Sequence, residues 1–278
     1  MADMSYHESG ATGVEESVYR YGASKLWFRG PKRALQVPYV ACVGGTETFG
    51  RFVDSPFPAA LEQRLEMQCL NLGSLFTGAE GLARDPEILS LMNGAEVCVV
   101  QLPSALNQSN RFYRVHPRRN DRVLEATSDL STLYPKVDFA EVHFVRHLMS
   151  RLSAFSDARF EVVAAELRRA WAEALRTLLD NVTSRVLLLW LDWDHSPAVG
   201  LDARGVSDPV PITQAMIDGV SDGGVPTVKM TVRPSGASDD LEDMLFGTMQ
   251  QPMAEYMIGP ATHRAIAERL LPAIRDLE

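Results

Sequence analysis

Residues 39–43 (Tyr-Val-Ala-Cys-Val) form an uncharged, largely apolar run that stops at Gly44-Gly45-Thr46-Glu47-Thr48-Phe49-Gly50. A short run of this kind, bounded by glycines, predicts a strand buried on both faces, and few architectures supply that burial besides a parallel sheet covered by helices. Gly44 and Gly45 lack a Cβ, so the backbone can turn sharply with its N–H groups free to face an oxyanion or phosphate. The turn would deliver Thr46 to the carboxyl edge of the sheet, where open α/β folds hold their sites. The bland alternative is a strand followed by an ordinary turn.

The chain then repeats the pattern. Residues 56–65 carry Phe57, Leu61 and Leu65 at helical spacing, with Pro56 and Pro58 tolerable in a first turn, which predicts a crossover helix. Residues 67–72 are a second strand. Residues 85–92 are a helix capped by Asp85 with Pro86 at its first position. Residues 97–102 (Val-Cys-Val-Val-Gln-Leu) are a continuous apolar strand that empties into a polar loop, 103–113. Residues 114–182 are expected to be mostly helical, ending in a long amphipathic helix over 159–179 with Phe160, Val163, Leu167, Trp171, Leu175 and Leu178 inward. A fourth strand over 185–191 leads to Asp192, Asp194 and His195. A fifth strand over 226–232, a helix over 239–248 and a last helix over 260–271 complete the order. The expectation is a three-layer, flavodoxin-like, doubly wound parallel sheet of about five strands. It forms a single domain over 19–278, with a helical insertion over about 114–182 and a flexible tail over 1–18.

The composition, 46% hydrophobic and 23% charged over 278 residues, suits one domain with a sizeable core. A formal net charge of −9 argues against general nucleic-acid or anionic-membrane binding. The expected partner is a small-molecule or carbohydrate substrate, or an anion in a focused pocket, and a homodimer is compatible with the chain. The first 17 residues show no export signal and no run is long and apolar enough to span a bilayer, so a soluble, cytoplasmic protein without membrane insertion is expected. Cys42, Cys69 and Cys98 lie in apolar runs and read as reduced core thiols. His143 and His147 stand four apart, the spacing a metal pair uses on one helix face. No third ligand accompanies them, which favours packed or salt-bridged histidines. No metal and no cofactor is implied.

Two groups of side chains suit a ligand. Residues 19–33 interleave aromatics with Arg20, Lys25 and Arg29, a mix that can hold an anion or sugar through guanidinium forks and ring faces, or simply cover a sheet edge. After the third strand come Asn110, Arg111 and Arg114, then Arg118, Arg119 and Arg122. Arginine density of this kind suits a sulfated, phosphorylated or acidic-sugar ligand, or a solvated, salt-bridged surface. Glu47 joins the ligand candidates from the first strand's loop.

Gly44 to Gly50, with the helix after it, resembles the first of four short blocks of the SGNH (GDSL-type) hydrolase superfamily. The resemblance implies Thr46 at the place of the nucleophilic serine. Asn71-Leu72-Gly73 is similar to the run into the second block, whose glycine N–H helps form an oxyanion hole, with Gly73 and Gly78 as candidates. Ser104-Ala105-Leu106-Asn107 resembles the third block and implies Asn107 as a further oxyanion donor. Thr262-His263-Arg264-Ala265-Ile266-Ala267 is similar to the stretch that opens the last helix. The aspartate of the first block is Gly45 here, and the positions of the fourth block's aspartate and histidine hold Ala254 and Met257. His263 or His195 would therefore have to supply the base. The stretches 20–25, 44–50 and 109–122 also resemble a family of bacterial proteins of unassigned function. The resemblance implies an esterase or acyltransferase acting on an acyl ester, possibly of a carbohydrate, with Thr46, Gly73, Asn107 and His263 in catalytic roles. The other reading is a non-hydrolytic binding or group-transfer protein for an anionic ligand.

Overall fold

A computed structural model describes residues 18–194, 208–221 and 224–277. Two short strands, β1 (Val18–Tyr19) and β2 (Phe28–Arg29), pair antiparallel at the start of the described chain. The main sheet holds β3 (Tyr39–Gly44), β4 (Gln68–Gly73), β5 (Val97–Gln101), β8 (Arg185–Trp193) and β9 (Thr227–Val232), all parallel and in the order β4-β3-β5-β8-β9. That is the flavodoxin-like order, and it reverses between β3 and β5. Between β5 and β8 an antiparallel hairpin joins β6 (Tyr113–His116) to β7 (Arg119–Ala126).

The alternation of side chains along each strand builds the two cores. Ala41 and Val43 of β3 and Cys98 and Val100 of β5 enter one apolar cluster. Val40, Cys42, Val97 and Val99 enter the other. Helices cover both faces, which is why these strands carry no polar stripe. On the first face lie α4 (Pro86–Asn93), α7 (Asp157–Asp180) and α8 (Gln214–Ser221). On the second lie α2 (Phe57–Leu65) and α10 (Pro260–Arg275). The shorter helices are α1 (Thr46–Phe49), α3 (Ala79–Ala83), α5 (Ser128–Leu133), α6 (Val145–Phe155) and α9 (Gln251–Ala254). The three-layer doubly wound sheet is as expected from the sequence. Asp85 caps α4 as expected, with Oδ1 accepting from the N–H groups of Glu87 and Ile88. All six residues assigned inward on the long helix are buried.

Three expectations are corrected. The stretch 113–126 is a β-hairpin: Tyr113 and Val115 are buried and Arg114 exposed, a period of two that a helix cannot use. His143 lies ahead of α6 and only His147 is in it, so the two histidines share no helix face. Among the described residues no group of three metal-ligating side chains occurs. The helix expected over 239–248 is replaced by two short 3-10 turns, Asp239–Asp243 and Thr248–Gln250, because the backbone turns extended at Met244 and Gly247 between them. The tail before residue 18 and His195 lie outside the described residues.

Residues 19–33 pack on the body through buried Tyr21, Leu26 and Phe28. Ser24 Oγ donates to Asp85 Oδ2 at 2.8 Å, fixing this arm to the start of α4.

Candidate active site

Both strands that flank the reversal end in side chains that meet. At the end of β5 the Gln101 carboxamide is buried under the loop that follows β3. Its Oε1 accepts from the Gly45 N–H and the Thr48 hydroxyl, both at 2.9 Å. Its Nε2 donates to Glu47 Oε2 and to the Leu102 carbonyl, both at 3.2 Å. All the polar capacity of the carboxamide is thus used, three of its four bonds holding the start of α1. A Cβ on Gly44 would overlap Thr48 Oγ1 and Gln101, so glycine is required for this approach.

Thr46 is the first residue of α1, where backbone N–H groups have no partner within the helix. Its Oγ1 accepts the N–H of Phe76 at 3.0 Å. Phe76 lies in the loop after β4 with φ +61°, a left-handed conformation that a bulky residue adopts only when its surroundings hold it. The Arg119 guanidinium stands 5.0 Å above the Phe76 ring. The next bond holds the same loop: Asn120 Oδ1, from the hairpin tip, accepts the Gly78 N–H at 2.9 Å.

His263 reaches this region from the other face of the sheet. Buried in the first turn of α10, it stacks on Phe57 and lies against Gly50. Its Nδ1 accepts the Phe57 N–H at 3.1 Å. Its Nε2 has no hydrogen-bond partner among the described residues. Burial, and secondarily the nearby Arg29 cation, lower its pKa to about 3, so the ring is neutral at ordinary pH. Thr46, Glu47, Gly50, Arg51, Met257, Ile258 and His263 line one small cleft. Burial raises the Glu47 carboxyl above its ordinary value, partly offset by its own backbone N–H, Gln101 and Arg146.

The other sequence candidates fall as follows. The Gly73 N–H donates to Asn71 Oδ1 at 3.0 Å, which occupies it. Gly78 is likewise occupied by Asn120. Asn107 presses its backbone carbonyl against Gly78, where any Cβ would overlap it. Arg29 donates to the Gly50 carbonyl and so lies directly beneath the cleft. Arg20 stacks over exposed Trp27 at 4.6 Å, and the Lys25 side chain is exposed on the arm. Asn110 organises its own turn, accepting from the N–H groups of Phe112 and Tyr113. Arg111 pairs with Asp129, and Arg114 donates to the Asn110 carbonyl. Of the cationic candidates only Arg29 is brought to the cleft. Gln101 and Phe76 were not among the sequence candidates. Gln101 had a signal, the one polar residue closing an apolar strand, whereas nothing in a phenylalanine announces a left-handed backbone.

The family model for a domain of unknown function, DUF6473, matches residues 4–278. No curated protein matches the chain in sequence. Solved structures similar to it include a gut microbial diltiazem-metabolizing enzyme, at 12% identity and TM-score 0.46 over 85% of this chain, which spans 46% of that enzyme. A second is a protein from Desulfitobacterium hafniense assigned to the G-D-S-L lipolytic family, at 12% identity and TM-score 0.35 over 85% of this chain and 99% of that one. A third is a two-domain esterase active on acetylated mannans, at 10% identity and TM-score 0.42 over 86% of this chain and 49% of that one.

Proposed function

The chain belongs to the family described by DUF6473, and we propose that it is an esterase or acyltransferase that takes the acyl group of an ester, such as a carbohydrate ester, onto Thr46. The observation that carries this reading is the Phe76 N–H aimed at Thr46 Oγ1 from a left-handed residue. Attack by that oxygen would start from a hydroxyl whose rotamer the Phe76 N–H already fixes, at the start of α1. The buried His263, whose Nε2 has no hydrogen-bond partner among the described residues, lines the same cleft and adds a further polar group.

The test is labelling by a fluorophosphonate, which is captured only by an activated hydroxyl beside oxyanion donors. Intact-protein mass spectrometry should find one adduct on the wild type, a peptide map should place it on Thr46, and Thr46→Ala should carry none. A wild-type protein that takes no label and turns over no p-nitrophenyl ester would remove the reading.

A further inference from the structure

We propose that Glu47, held by Gln101, is the proton acceptor for Thr46, and that His263 acts in the same cleft as a hydrogen-bond donor through Nε2–H. The proposal rests on the acyl-transfer reading above and assigns its proton chemistry.

The bonding of His263 dictates its part. A neutral imidazole carries one proton, and the nitrogen that accepts a hydrogen bond is the one without it. Nδ1 accepts from Phe57 N–H, so the proton is on Nε2. His263 lines the cleft with Thr46, and its Nε2, itself buried, has no hydrogen-bond partner among the described residues. A protonated Nε2 cannot take the threonine proton. It can donate to a carbonyl oxygen on which negative charge collects. The arrangement is the reverse of a base whose Nδ1–H is oriented by a carboxylate and whose Nε2 is left open to accept.

Among the described residues Glu47 is the one carboxylate that lines this cleft. It cannot swing freely: Gln101 Nε2 holds Oε2 from β5. The charged group that acts on it is Arg146 on α6, and across the cleft lining stand Arg51 and the neutral, titratable His263 on α10. Burial makes its carboxylate a stronger base than an exposed glutamate, which suits a general base working near neutral pH.

The step balances within these residues. Thr46 Oγ bonds to the acyl carbon as its proton passes to the Glu47 carboxylate. The ester C–O bond then breaks, and the Glu47 proton leaves with the departing alkoxide as the alcohol. Water or an acceptor hydroxyl adds to the Thr46 ester, giving its proton to Glu47, and that proton returns to Thr46 Oγ as the acyl group departs.

Two measurements on the full chain test the assignment, with the fluorophosphonate as probe. Glu47→Gln should slow labelling of Thr46 by about 100-fold or more, the usual worth of a general base. It should also erase the acid limb of the rate against pH, and Glu47→Asp should recover part of the rate. His263→Gln, which keeps an N–H donor but no base, should slow labelling by less than about 10-fold. Labelling by Glu47→Gln at the wild-type rate, or its abolition in a folded His263→Gln, would overturn the assignment while leaving the acyl-transfer reading in place. Independently of any activity, the side-chain nitrogen shifts of His263 should report the Nε2–H tautomer and no protonation down to pH 5. An Nδ1–H tautomer overturns the proposal even if Thr46 labels.

Discussion

The Phe57 N–H donates to His263 Nδ1 at 3.1 Å, joining the first turn of α2 to the first turn of α10 across the sheet's second face. The bond needs the ring neutral, because an imidazolium has no lone pair at Nδ1. A buried histidine with its pKa lowered to about 3 takes up a proton far less readily than in the unfolded chain, where it titrates near 6.5. The unfolded state therefore binds more protons as pH falls below 6.5, and stability is lost from there down towards pH 3, by up to about 1.4 kcal/mol per pH unit. Glu47, with its raised pKa, contributes with the opposite sign above pH 4.5. Comparison with a His263→Gln variant isolates the histidine. Urea denaturation from pH 4 to 7 should show a slope shallower in the variant by close to one proton. Equal slopes would mean that His263 is protonated in the fold.

Threonine is a crowded nucleophile, since its methyl fixes χ1. Here that restriction agrees with the hydroxyl's bond to Phe76 N–H, which already selects one rotamer. Thr46→Ser keeps the bond and removes the methyl, and should label with a fluorophosphonate within a few-fold of wild type or faster. Thr46→Val keeps the shape, loses the hydroxyl and should not label. It also leaves the Phe76 N–H unpaired, at a cost of about 1–3 kcal/mol in urea denaturation.

Where side-chain period decides the element, the structure was legible from the residues alone. The apolar strands, the cap at Asp85 and the inward stripe of α7 all follow from spacing. The hairpin over 113–126 was missed because its arginines drew the reading towards a charged helix, although Tyr113 and Val115 alternate with polar neighbours. The cleft was legible in part. Thr46 was assigned from its place at the end of the first apolar strand and His263 from the resemblance of its stretch to one that opens a last helix, but the Gln101 contacts depend on how far β5 extends beside β3. The direction of the histidine's hydrogen bond depends on Phe57, distant in sequence, and no spacing rule couples residues so far apart.

Gln101 is a positioning residue for Glu47, and its loss has a directional signature. Its Nε2–H stabilises the ionised carboxylate and so lowers the Glu47 pKa. Gln101→Met keeps an unbranched side chain of similar length without the donor. The acid limb of the labelling rate should move to higher pH in this variant, with the plateau reduced as Glu47 and the Gly45 loop lose their support. A purely structural role would lower the plateau and leave the midpoint of the limb unchanged.

The hairpin-and-helix insertion is tied to the site's loops through Trp171. This side chain is fully buried on α7, and its Nε1–H donates to the Pro103 carbonyl at 2.9 Å, on the loop that leaves β5. Pro103 is itself buried, so no water stands ready to replace the indole. Trp171→Phe removes the donor and leaves a void, and should cost about 2–4 kcal/mol from an orphaned carbonyl and lost packing. The same change at Trp27, which is 46% exposed and only carries the Arg20 guanidinium, should cost less than about 1 kcal/mol. The effect should also reach the cleft, because the loop anchored at Pro103 runs on to Asn107, whose carbonyl packs on Gly78 beside Phe76. Below its unfolding midpoint, Trp171→Phe should therefore label more slowly at Thr46 than Trp27→Phe does. Equal labelling rates in the two folded variants would mean that the insertion stabilises the domain without setting the geometry around Thr46.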